Sequence, residues 1–61
     1  MIEIRFRNGF AWVTAKDTAG KSWMKKVCSG ETSNVQMSVL NACYFAKACE
    51  EKGIKINYEE V

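Results

Sequence analysis

Arg5 and Arg7 stand just before an Asn8-Gly9 pair, Phe10 and Trp12 just after it, and Trp23 and Lys25 follow in the next segment. Cations interleaved with flat aromatics have three uses. They can stack on unpaired bases while meeting phosphates, they can form an aromatic and arginine hot spot for a protein, or they can pair with one another across strands and shield an open sheet face. Covalent chemistry has less to draw on. The chain has no His, so a nucleophile would need a Lys or carboxylate as its base, and no Ser or Cys sits at a recognisable elbow. Cys28, Cys43 and Cys49 include no C-x-x-C pair, which points to neither a zinc site nor a closed disulfide set. Cys43 and Cys49 read as small core residues, and Cys28 as a residue at a strand end. The expectation is a protein that is not an enzyme, with no metal and no cofactor.

Positioning those side chains falls to a single domain spanning 61 residues, near the lower size limit for an unaided hydrophobic core. Ile2, Ile4 and Phe6 alternate with Glu3, Arg5 and Arg7, the period of a strand with one buried face. Asn8-Gly9 is a strong signal for a two-residue type I′ turn, which fixes the register. Ile2 then faces Ala15, Ile4 faces Val13, Arg5 faces Trp12 and Arg7 faces Phe10. Ile2, Ile4, Phe6, Ala11, Val13 and Ala15 share the core face; Glu3, Arg5, Arg7, Phe10, Trp12 and Thr14 share the other. Asp17-Thr18-Ala19-Gly20 reads as a second turn, followed by a third strand over about Lys21 to Cys28. The expected four-residue connection sets Met24 beside Val13 in the core and puts Trp23, Lys25 and Val27 on the arginine face, whereas a three-residue bulged loop reverses this.

Ser33-x-x-Gln36 reads as a capping box that opens a helix running to Lys52, with Gly53 as its left-handed cap. Val35, Val39, Ala42, Cys43, Ala46 and Cys49 form one stripe of that helix. Met37, Leu40, Tyr44 and Ala48 form a second, nearly opposite, which suits contact with another subunit. Ile54, Ile56 and Tyr58 alternate as a last strand ending in a frayed Glu59-Glu60-Val61. A helical crossover can lay this strand parallel to the first. The expected fold is α+β: a three-stranded antiparallel meander, one long helix and a fourth strand, in the order 3-2-1-4.

Net charge is +2, but residues 1 to 27 carry +4 and the remainder −2. That polarity predicts a positive face on the sheet and an acidic end, able to steer an anionic partner. An odd cysteine count, no signal-peptide pattern and no apolar run near membrane-spanning length predict a reduced, cytoplasmic protein without membrane contact.

Strand, strand, strand, helix, strand resembles the first half of the ribonuclease H-like fold. Ile4-Arg5-Phe6-Arg7-Asn8-Gly9 looks like that family's first strand, where Asp-Gly ends the run, and Ser29-Gly30-Glu31-Thr32-Ser33-Asn34 looks like its Thr-Asn-Asn entry to the first helix. The family holds two metal ions in clustered carboxylates. Here the first acid position is Asn8, the helix position falls near Gln36 or Met37, and the one after the fourth strand falls near Tyr58 or Glu59. The resemblance therefore implies an inactive, truncated scaffold, a form also used by antitoxins that bind proteins and oligomerise. Read as a complete small chain beginning at Met1, it suits an inhibitor or antagonist such as phage anti-defence proteins. It would act as a homo-oligomer on a protein target, or alternatively on single-stranded DNA or RNA through the same face.

Overall fold

Asn8 and Gly9 adopt left-handed backbone, with φ of 52° and 78°, and they join β1 (Ile2–Arg7) to β2 (Phe10–Ala15). All six cross-strand pairs follow the register that a two-residue turn requires, from Arg7 opposite Phe10 to Ile2 opposite Ala15. The computed structural model describes residues 1–60 and continues with α1 (Thr18–Val27), β3 (Val35–Ser38), α2 (Val39–Glu51) and β4 (Ile56–Glu60). One sheet has the order β3-β2-β1-β4. β4 lies parallel to β1, and β3 lies antiparallel to β2. The α+β class, the strand order and the parallel final strand are those the sequence led us to expect.

The third strand comes from different residues. Lys21–Cys28, expected to be that strand, belongs instead to α1 and its C-terminal cap. Asp17 does not open a plain turn; it caps the helix, its carboxylate accepting the Gly20 N–H at 2.8 Å. Ala19, Lys21, Met24, Lys25 and Lys26 all favour a helix. Gly20, Trp23 and Met24 share one side at the helical spacing, and Lys25 and Lys26 in the last turn suit its negative end. Ser29 then takes φ 54° and Gly30 donates its N–H to the Lys25 carbonyl at 3.0 Å, closing the helix with the longer bond of a Schellman motif. A helix therefore interrupts the meander.

β3 is formed by Val35-Gln36-Met37-Ser38, residues whose sequence pattern predicts the first turns of the long helix. Asn34 has a left-handed φ of 49°, which excludes a right-handed helix starting from a Ser33 cap. Val35 and Met37 pair with Val13 and Ala11 on the core face, while Gln36 and Ser38 pair with Trp12 and Phe10. α2 starts at Ser38, whose Oγ accepts the Asn41 N–H at 3.1 Å. It ends as expected around Gly53, with φ 76°. Ile54 N–H reaches Cys49 O at 2.9 Å and Gly53 N–H reaches Glu50 O at 3.0 Å, both bonds of a Schellman motif. β4 continues through Glu60, so Glu59 is paired rather than frayed; Val61 lies outside the described residues.

The core lies between one sheet face and the two helices. Ile2, Ile4, Ala11, Val13 and Ala15 from the sheet meet Met24 of α1 and Ala42, Ala46 and Cys49 of α2. The alanines let the helices approach closely but bury little apolar surface. Among the fully buried residues the largest contributions therefore come from Ile2, Ile4, Val13 and Met24, at about 1.5–3 kcal/mol each. Gly20 marks the tightest approach: a Cβ there would come within 2.6 Å of the Met1 carbonyl oxygen.

Candidate functional site

Alternation along β1 and β2 sends Glu3, Arg5, Arg7, Phe10, Trp12 and Thr14 to the face that neither helix covers. β3 adds Gln36 and Ser38 to this face, and β4 adds Asn57 and Glu59. The result is a shallow depression lined by Arg5, Arg7, Asn8, Phe10, Trp12, Asn34 and Gln36. Trp12 is half-buried at its centre, and Phe10, 45% exposed, stands at the hairpin end. Thr14 and Asn34 brace the β3 side: Asn34 N–H donates to Thr14 Oγ1 at 3.0 Å, and the hydroxyl donates to Asn34 Oδ1 at 3.5 Å.

Charge on this face is balanced more closely than the sequence suggested. Arg5 Nε lies 3.1 Å from Glu3 Oε1 and 3.2 Å from Glu59 Oε2, and Lys16 Nζ lies 3.8 Å from the same Glu3 oxygen. Arg7 has no carboxylate within ion-pair reach among the described side chains, and it is the cation freest to meet a ligand. The expected positive sheet face is corrected by the placement of Lys21, Lys25 and Lys26, which ride on α1 in the opposite layer.

Four of the six residues expected to bind a partner are thus brought together: Arg5, Arg7, Phe10 and Trp12. Trp23 and Lys25 are not, because their segment is helical. Lys25 is exposed on α1, while Trp23 is half-buried against the core with Lys52 Nζ 5.7 Å from its ring centroid. The Trp23 indole N–H is buried without an acceptor in hydrogen-bonding geometry among the described residues. Its polar neighbour is the Cys49 thiol, whose ionised form it favours. Burial acts the other way and dominates, pushing the Cys49 thiol up. Cys28 is pushed up as well, first by burial and then by Glu31.

The four residues expected to form an oligomer stripe are also divided. Met37 sits on the core face of β3 opposite Ala11, and Ala48 is half-buried on α2. Leu40 and Tyr44 remain on the solvent side of α2, 64% and 66% exposed. Asn34 and Gln36 are the site residues that sequence reasoning missed. Their signal was the four-residue alternation Val35-Gln36-Met37-Ser38, which the preceding Ser33-x-x-Gln36 pattern concealed. Ser29–Asn34, which had resembled the entry to a helix, leads into β3, and Gln36 and Met37 are strand residues.

Among the described residues no helix is long and apolar enough to cross a membrane. Compared with family models, curated proteins and solved structures, the chain matches none.

Proposed function

We propose that this chain is a small non-catalytic binding protein, cytoplasmic and homo-oligomeric, that seats a protein target on the open sheet face. The observation that carries the reading is the cluster of Phe10 and Trp12 with Arg5 and Arg7 on the one face left without a helical cover. Tryptophan, tyrosine and arginine are enriched among the few side chains that dominate binding energy at protein contacts. Near-balanced charge around Arg5 favours a protein over a polyanion. That contact chemistry suits an inhibitor or antagonist that acts by occupying a surface, as phage anti-defence proteins and antitoxins do. The sheet order, with β4 parallel to β1, supports the likeness to the first half of the ribonuclease H-like fold; the helix between β2 and β3 is a departure from it. On that reading the scaffold is kept without its metal-binding acids.

A photo-crosslinking amino acid at position 10 should capture the target in cells. Titration of the purified target should then show that Trp12→Ala weakens binding at least about 30-fold, as loss of a hot spot of roughly 2 kcal/mol requires. Unchanged affinity in Trp12→Ala would refute this use of the face. Asn34 and Gln36 favour one second reading, since their amides beside Trp12 can meet base edges while the ring stacks. Quenching of tryptophan fluorescence by oligonucleotides at low salt, lost in Trp12→Ala, would establish it. No quenching at low salt would dismiss it.

A further inference from the structure

We propose that a second copy of the chain pairs with the free edge of β4, antiparallel and about a twofold axis at Asn57, to make one continuous eight-stranded sheet. The inference rests on the homo-oligomer reading above and names the surface that achieves it. β4 ends the sheet on one side and β1 occupies only one of its edges. Ile2 N–H donates to the Lys55 carbonyl at 2.9 Å while Ile2 stands opposite Ile56. In a parallel ladder this turns the peptide groups of Asn57 and Glu59 toward β1, and those of Ile56 and Tyr58 outward. Two outward residues flanking an inward one are what an antiparallel pair centred at Asn57 needs. Ile56 of each copy would exchange both backbone bonds with Tyr58 of the other.

Charge selects this register over its neighbours. With Asn57 at the axis, Lys55 of each copy faces Glu59 of the other on the open side of the sheet. Sliding the axis to Tyr58 would set Asn57 against Glu59 and leave Lys55 without a partner. On the helix side, Ile56 would cover Tyr58 of the other copy; Tyr58 is 54% exposed and stacks on Phe6 with ring centroids 6.2 Å apart. Opposite charges and apolar residues directly across an antiparallel pair both favour it. β3, the other edge, has four residues and no charge to set a register.

The test is a charge swap. Sedimentation or light scattering over a concentration series should show a dimer for the wild type. Lys55→Glu sets carboxylate against carboxylate at both ends of the pair, with Arg5 of the same copy beside each Glu59, and should be monomeric; Glu59→Lys sets amine against amine beside Arg5 and should be monomeric too. An equimolar mixture of the two variants restores opposite charges at both ends and should recover the dimer. That recovery also shows that neither variant failed to fold. In the wild-type dimer, hydrogen exchange at the Ile56 and Tyr58 amides should slow at least tenfold relative to the diluted protein, while Asn57 and Glu59 are protected in both. A mixture that stays monomeric overturns the register. Single variants that dimerise like the wild type overturn the β4 interface, and its loss in Tyr44→Glu would move the contact to α2. A wild type that is monomeric at every concentration overturns the dimer outright. Trp12→Ala should leave the dimer mass unchanged, so target binding that depends on Trp12 stands or falls separately.

Discussion

The two faces of the sheet are written by alternate residues of the same strands, yet they obey different rules. On the covered face Ile2, Ile4, Ala11, Val13 and Ala15 are almost fully buried, and their sizes are set by how closely α1 and α2 approach. On the open face Glu3, Arg5, Trp12 and Thr14 are held by neighbours but not enclosed, and side-chain chemistry matters more than volume. Stability therefore lives on one side of a single layer of backbone, and the proposed recognition would use the other. A change of one position along β1 or β2 crosses from one regime to the other.

Substitutions can separate the two faces. Ile4→Ala should cost about 2–5 kcal/mol in urea unfolding, a large part of what so small a domain possesses. Arg5→Ala, the next residue, should cost no more than about 1 kcal/mol, because Arg5 is itself half-exposed and Glu3 keeps Lys16 within reach. If the two costs proved equal, the division between the faces would fail. Trp12→Ala should move target affinity by about 2 kcal/mol or more and stability by less. Gly20→Ala should destabilise by more than about 1 kcal/mol, opposite to the usual gain for Gly→Ala in a helix, because the added carbon meets the Met1 carbonyl. A more stable variant would mean that α1 can lift from the sheet at little cost. The smallest effect concerns pH. The Cys28 and Cys49 thiols are pushed above the ordinary 9.0, so the folded state holds protons that the unfolded chain releases. Stability should therefore be flat below that range and decline as pH rises through about 9 and beyond, with Cys49→Ala flattening the decline.

Legibility in the sequence followed the range of the signals. The first hairpin could be read in full because Asn8-Gly9 and the alternation around it are local and agree. The close of α2 at Gly53 was legible for the same reason. α1 was lost because Asp17 and Gly20 suit a turn as well as a helix start, and the packing of Gly20 and Met24 against the sheet favours the helix. β3 was lost because Ser33 and Gln36 mimic a capping box. What excludes that cap is the left-handed Asn34, whose hydrogen bonds run to Thr14, a partner twenty positions away. The candidate site followed these outcomes. Arg5, Arg7, Phe10 and Trp12 came from the legible hairpin; Asn34 and Gln36 came with the strand that was misread, and Trp23 and Lys25 left with the helix.

The parallel pairing of β4 with β1 also governs the order of assembly. The β1–β2 hairpin closes across a two-residue turn and can form in about 1–10 μs. β4 must find β1 across nearly the whole chain, as the Ile2–Ile56 register requires. The entropy of closing so long a loop grows only slowly with length, but it must be spent before any β4 contact repays it. Until that loop closes the edge of β1 is bare, and for that interval the nascent sheet is a template for any extended segment, its own last strand included.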